Sequence, residues 1–299
     1  TVLRQGRVAA AMAVSEISGP EQLAELMVGK SIDLITHKKP AAPGREVLRL
    51  EHLSYRDGEQ VSRLNDLSLT VRAGEIVGVA GVDGNGQSEL IRAIIGTLRP
   101  QSGNIYIDGQ VMNGKSTRDI LRRGVAHIPE DRLKMAMVKE MTVNENFILM
   151  RYDCRPYSKH GVMNWREITR RSRELCRQYE VKTPGVEELA GRLSGGNQQK
   201  VVVGRELDRE AELILAVYPD RGLDIGTTKY IQSRLVEERD RGAAILLLST
   251  ELDEILELSD TVTVLYKGKI MGAMAQRDAH RETVGLLMAG AAVTKDAQN

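Results

Sequence analysis

Two stretches carry residue types and spacing that could handle phosphate. GVDGNGQS (81–88) follows the apolar run EIVGVA (75–80) and keeps the G-x-x-x-x-G-K-[ST] spacing of a phosphate-binding loop, except that Gln87 stands where the lysine belongs. A glycine-rich loop between strand and helix presents closely spaced backbone N–H groups to phosphate oxygens, and the helix N-terminus adds a favourable dipole. Gly81 and Gly86 permit the tight turn. Gly84, Asn85, Gln87 and Glu89 complete the candidate nucleotide-binding set, and the Ser88 hydroxyl is the group that would reach Mg²⁺. Without its lysine, the same stretch also fits an ordinary structural turn. LSGGNQQK (193–200) precedes the helix-like VVVGREL. It places Ser194 as an N-cap and opens backbone donors at Gly195 and Gly196, a second anion-reading helix start, with Leu193, Asn197 and Gln198 around it. A capped surface helix is the plainer alternative.

The elements needed to hold these stretches are legible around them. Residues 47–53 and 67–71 read as strands by alternation and β-branching. The run at 75–80 is continuously apolar, fit for a parallel strand buried on both faces. SELIRAIIGTL (88–98) has helical spacing at Leu90, Ile91, Ile94 and Ile95. From about 130 to 192 the texture turns charged and helix-prone, as a mainly helical insertion would. Strand-like runs return at 212–218, 243–249 and 261–270, with a helix at 227–242 between the first two. This alternation predicts an α/β domain with a helical subdomain.

Bulk properties narrow the class. With 299 residues, 28% charged, and a formal net charge of +1, the chain has the composition of a soluble globular protein and no nucleic-acid footprint. One Trp, one Phe and eight Tyr argue against base-stacking surfaces. Cys154 and Cys176 lie far apart without ligand spacing, as buried or incidental thiols would, and suggest a cytosolic setting. No apolar run approaches the roughly 18–20 residues of a membrane span.

On GVDGNGQS, LSGGNQQK and the PED of HIPEDR (127–132), the chain resembles the nucleotide-binding domain of ABC transporters, and most of all the tandem ATPase subunits of bacterial sugar and nucleoside importers. The resemblance implies a P-loop NTPase of ABC type, with a mixed sheet core, an antiparallel β edge and a helical subdomain. It implies ATP and Mg²⁺ as cofactors, sandwiched head to tail between the phosphate loop of one domain and the signature helix of another. By that pattern the signature at 193–198 is intact, Asp224 is the D-loop residue facing the partner domain, and Glu130 holds the Q-loop position. The departures are severe. Val217 and Tyr218 stand where the Mg²⁺-binding Asp and the water-polarising Glu belong, and Thr250 replaces the switch histidine. The adenine-stacking position falls on Asp57; Tyr55, two residues away, fits the core better. A charge-assisted hydrogen bond is worth about 1.5–3 kcal/mol, so losing the lysine should weaken phosphate binding by roughly one to two decades. Hydrolysis needs metal positioning and an oriented water, which these side chains do not supply.

An internal repeat extends the resemblance. TVLRQGRVAAAM (1–12) matches TVLYKGKIMGAM (263–274), and LMVGK ending at Lys30 echoes LMAGA ending at Ala291, at offsets of 262 and 261. The chain starts in strand-like sequence without an initiator Met. The expected layout is the tail of a first ABC domain (1–37), a linker (38–46), a second ABC domain (47–292) and a hydrophilic tail (293–299). Expected partners are that first domain, transmembrane permease subunits, a periplasmic or lipoprotein solute-binding protein, and no nucleic acid. The expected location is the cytoplasmic face of the membrane. MTVNENFILM (141–150) falls where such proteins dock the permease, although its apolar residues fit a core equally. Translation or repair factors of tandem ABC type and a regulatory nucleotide sensor are the competing classes. The short Pro-containing linker and the absence of long heptads weigh against the factors.

Overall fold

The computed structural model describes residues 1–4, 6–28 and 38–291. An N-terminal hairpin, β1 (Val2–Arg4) and β2 (Arg7–Ala10), is followed by α1 (Pro20–Val28). The main body begins with β3 (Glu46–Arg56), β4 (Ser62–Arg72), β5 (Ile76–Ala80), α2 (Gln87–Ile94), β6 (Ser102–Ile107), β7 (Gln110–Val111), α3 (Thr117–Arg122) and β8 (Val125–Ile128). The inserted subdomain holds a π-turn at Arg132–Ala136, then α4 (Val143–Ile148), β9 (Ser158–Lys159), β10 (Val162–Met163) and α5 (Trp165–Gln178). The chain returns through α6 (Gly195–Leu207), β11 (Leu213–Val217), α7 (Ile225–Asp240), β12 (Ala244–Ser249), α8 (Leu252–Leu258), β13 (Thr261–Tyr266), β14 (Lys269–Ala275) and α9 (Arg281–Met288).

Two sheets carry the body. The larger runs β14-β13-β5-β12-β11-β8, parallel except for the β13–β14 hairpin, and the smaller is antiparallel β4-β3-β6-β7. β5, β11 and β12 are buried along their whole length, which is why their sequences read as unbroken apolar runs. Their side chains still alternate between two cores. Ile76, Ile214, Ile245 and Leu247 pack with Val201, Val202, Ile231 and Ile255 of α6, α7 and α8. Val77, Leu215, Leu246 and Leu248 pack with Leu90, Ile91 and Ile94 of α2 and with the smaller sheet. The phosphate-loop candidate therefore leaves the C-terminal end of β5, a central strand, where ligands bind in open α/β sheets.

Several expectations need correcting. The helix after the loop stops at Ile94 rather than 98, because Gly96 turns the chain at φ +78°. Glu75 precedes β5; its buried carboxylate accepts from the Arg72 amide and the Thr261 hydroxyl. The insertion is not all helix: β9 and β10 form a hairpin whose tip, His160 and Gly161, has positive φ at both residues. Val143, Phe147 and Ile148 of the 141–150 stretch are core residues. Cys154 is exposed and Cys176 half-buried, both free, which fits the incidental of the two alternatives.

The repeat survives in three dimensions for the hairpin. β1–β2 pairs Val2 with Ala10, Leu3 with Val8 and Arg4 with Arg7. β13–β14 pairs Val264 with Gly272, Leu265 with Ile270 and Tyr266 with Lys269, the same register displaced by 262, with the same irregularity after the first pair. In both places a short 3₁₀ turn and a helix follow. Gly29 and Lys30 of the second match, the rest of the expected first-domain tail to 37, and the tail 293–299 lie outside the described residues.

Candidate functional site

The loop from Gly81 to Ser88 is held from within and from outside. Gln87, only 3% exposed, folds back on the loop: its Nε2 donates to the Val82 carbonyl (3.0 Å) and its Oε1 accepts from the Asn85 amide (3.1 Å). Asn85 is tied to the β13–β14 turn, accepting from the Lys267 amide on Oδ1 (2.9 Å) and from the Gly268 amide on its carbonyl (2.9 Å). A Cβ at Gly81 would lie 2.5 Å from Gln87 Nε2, and one at Gly86 would lie 2.3 Å from the Arg63 carbonyl. Both glycines are needed for space, and Gly86 also for its φ of +106°. Gly86 is the N-cap of α2, so no side chain caps the helix. Gly84 and Ser88 are exposed, and Glu89 is half-buried in the first turn. The helix start is thus built to meet an anion, while one amide of the loop is already taken by Gln87.

The strand end opposite this loop lacks carboxylates. Val217 ends β11 with its side chain in the core, 5% exposed. Tyr218 follows in the left-handed region at φ +47°, a strained conformation for an aromatic residue. Its ring is 6% exposed, and its hydroxyl lies 3.5 Å from Asp83 Oδ1, donating across the site to the loop. Burial pushes the phenol up to about 12, with the nearby carboxylates of Asp83 and Glu130 adding to the effect. Thr250 is exposed beyond β12, and Glu130 is exposed in a groove with Asp131, Arg132, Leu133 and Arg221.

Asp57 and Tyr55 divide as their chemistry requires. The Asp57 carboxylate accepts from Arg63 Nε (2.8 Å) and from the amides of Glu59 and Val61, and the Arg63 bond holds it below the usual carboxylate range. Tyr55 packs half-buried against the second core.

Mg²⁺ does not fit this strand end. Ser88 offers one hydroxyl, Val217 offers methyl groups, and no cluster of three His, Cys, Asp or Glu side chains capable of holding a metal exists among the described residues. A phosphate entering here would meet the open end of α2, with Gln87 occupying part of the cradle.

The second anion-reading end is open. α6 begins at Gly195 with Ser194 as the N-cap by backbone geometry, but the serine hydroxyl does not cap the helix as the sequence suggested. Instead Ser194 Oγ accepts from Asn197 Nδ2 (2.8 Å), while Asn197 Oδ1 takes the Lys182 amide (2.7 Å). Ser194 is exposed and both glycines are half-exposed, so the start of α6 faces outward although most of the helix is core. Leu193 and Gln198 turn inward; Gln198 Nε2 donates to the Ala190 carbonyl (3.3 Å) and braces the turn before the signature. Asp224 caps α7, accepting from the Thr227 amide (3.0 Å) and hydroxyl (2.8 Å). Burial acts to raise its pKa, but these bonds prevail and keep it below its ordinary value.

Four contributors escaped the sequence reading. Asp83 receives the Tyr218 hydroxyl. Arg132 lies over the signature, its Nη2 2.7 Å from where a Cβ at Gly195 would stand. The buried Glu254 and the half-buried Asp220 form an acidic pair beside the strand end, with Gln232 Nε2 donating to Asp220 (3.1 Å). Burial raises both carboxyls, Glu254 to about 8; the charge of Asp220 adds to the rise at Glu254, whereas Glu254 and Gln232 act to lower Asp220. Asp83 stood inside GVDGNGQS and Arg132 inside HIPEDR, motifs that could have signalled them; Glu254 had no such signal.

Comparison with known proteins agrees with this architecture. The ABC transporter family model matches residues 64–216. The chain is 42% identical over 290 residues to the guanosine import ATP-binding protein NupO of Bacillus subtilis, covering 97% of this chain and 57% of the relative. It is equally identical, over the same shares, to the nucleoside import ATP-binding protein NupA of Lactococcus lactis, and 35% identical to a glucose import ATP-binding protein of Haloferax volcanii. The chain thus spans little more than half the length of these relatives. Among solved structures, an ATP-binding subunit of an ABC transporter superposes with a TM-score of 0.68 at 25% identity, covering 81% of this chain and 99% of that one. The chain belongs to the ABC transporter family and carries its ATP-binding cassette fold.

Proposed function

We propose that this chain is the second cassette of a tandem ATP-binding subunit, which drives import of nucleosides or sugars and has an asymmetric pair of sites. Its own site binds nucleotide weakly and hydrolyses almost none; its signature completes the active site of the first cassette. The observation that carries this is the contrast between the two anion-reading ends. One has Gln87 folded into the cradle and Val217, Tyr218 and Thr250 at the catalytic positions, whereas the other presents Ser194, Gly195 and Gly196 outward.

The tandem arrangement is supported by the duplicated hairpin register and by relatives nearly twice as long as the chain. β13 pairs with β5 on its far side, while β1 pairs only with β2 among the described residues, and Leu3 and Val8 are 65% and 62% exposed. A first cassette would supply the missing neighbour. Nucleosides are favoured over sugars by the names of the two relatives at 42% identity. Permease subunits and a solute-binding protein then complete the system, with the cassettes at the cytoplasmic face of the membrane. The Asp224 carboxylate, already capping α7, would present the D-loop to the first cassette.

Hydrolysis measured on this chain mixed with its first cassette tests the reading. Ser194→Ala should lower turnover by about ten- to a hundredfold, the worth of one hydrogen bond to a charged group. Ser88→Ala should change it by less than about threefold. Equal losses from the two variants would sink the asymmetry.

A further inference from the structure

We infer that the β9–β10 hairpin and the exposed face of α5 form a docking surface for anionic phospholipid headgroups. The hairpin is built with two distinct faces. Met163 packs inward against Ile148, Tyr157 and Ile168, while Lys159 and Val162, paired across the strands, are exposed. Val162 is 72% exposed at a place where a β-branched side chain gains nothing from water. Three residues on, Trp165 opens α5 at 50% exposure, and it is the single tryptophan of the chain. Trp165 shares an open groove with Arg166 and Arg177 on the face of α5 opposite its buried Ile168 and Leu175.

The charge around this apolar tip is one-sided. Residues 151–178 hold eight Lys and Arg against three Asp and Glu, in a chain whose formal net charge is only +1. The three acids are spent locally: Asp153 on Arg118 and Arg122, Glu167 on Arg170, and Glu174 on Arg170 and Arg171. Arg155, Lys159, Arg166 and Arg177 have no ion pair among the described residues and remain available. An exposed indole and an aliphatic side chain amid unpaired cations match a membrane interface, where the ring sits at headgroup level and the cations meet phosphate. No helix among the described residues could cross the bilayer, so the contact would lie on the surface. An acidic segment of another protein would use the cations but leave Val162 and Trp165 in water, which is why lipid is the better occupant. This surface is distinct from both anion-reading helix ends and does not depend on nucleotide turnover.

Trp165 is its own reporter. The chain mixed with phosphatidylglycerol–phosphatidylcholine vesicles should sediment with them and shift its emission to the blue, and both effects should fade as salt screens the cations. Each cation near an anionic surface contributes about fivefold in affinity, so reversing two charges in K159E/R166E should weaken partitioning by at least roughly 25-fold. V162D should reduce both effects without altering the circular dichroism spectrum, since position 162 touches no core. Failure to partition would overturn the proposal, as would equal partitioning onto pure phosphatidylcholine. So would K159E/R166E binding like the parent chain, or retention on an acidic polypeptide with none on vesicles.

Discussion

At the scale of the residue, the substitution of glutamine for lysine in the phosphate loop is more than a lost charge. An ammonium at position 87 would have no acceptor but the loop carbonyls and the ligand, whereas the Gln87 amide satisfies itself on Val82 and Asn85. The loop is stable without phosphate, so binding must break that arrangement before it gains anything. Gln87→Lys should therefore raise nucleotide affinity by about ten- to a hundredfold, read as a shift in the dissociation constant by calorimetry. It should leave hydrolysis near zero, because Val217 and Tyr218 still provide no carboxylate. Unchanged affinity in this variant would mean that the α2 end, not the missing charge, limits binding. The glutamine was visible in the sequence, but its fold-back was not: an amide at that position can point outward or inward, and only the neighbours decide.

At the scale of the element, α6 joins the signature to the core, and its fit depends on a glycine. Gly204 faces the rings of Tyr179 and Phe147, and an added Cβ would stand 2.9 Å from Tyr179 Cδ2. Both rings are buried, so they have little room to retreat. Gly204→Ala should cost about 1–3 kcal/mol by overpacking, despite alanine's better helix propensity; a urea midpoint that rises instead would refute this account. The central strands were legible in the sequence because β5, β11 and β12 are buried on both faces and leave no polar residues to confuse the pattern. Helix ends and the insertion were less so. The β9–β10 hairpin rests on a two-residue turn at His160–Gly161, too short a signal beside fourteen residues of α5. Ser194 was correctly placed at the start of α6, yet its hydroxyl is drawn to Asn197, a competition that spacing does not encode.

At the scale of the whole molecule, two groups set opposite dependences of stability on pH. His127, a half-buried residue of β8 beside Arg205 and Glu206 of α6, is pushed down to about 4 by burial, against which Glu206 acts and to which Arg205 adds. Between that value and its ordinary 6.5 the unfolded chain binds a proton that the native one refuses. Its contribution, roughly 3 kcal/mol, is present above about 6.5 and is lost as pH falls through 4. Glu254 runs the other way. Its native carboxyl holds a proton up to about 8, because burial and Asp220 oppose its charge, while the unfolded chain gives it up near 4.5. The native state then binds more protons, so that contribution is present below about 4.5 and is lost as pH rises through 8. Thermal unfolding should accordingly show a maximum between these limits instead of a plateau at neutral pH. Glu254→Gln, which keeps the shape and cannot ionise, should raise the midpoint at pH 8 by a few degrees and leave pH 5 nearly unchanged, at about 2–4 °C per kcal/mol for a domain of this size. Equal shifts at the two pH values would show that the substitution acts through packing and not through the ionisation of Glu254. The Glu254–Asp220 pair sits beside the strand end that carries Val217 and Tyr218 in place of carboxylates. Here the carboxyl of Glu254 is turned inward and kept protonated by burial and by the charge of Asp220, while the Tyr218 hydroxyl reaches across to Asp83.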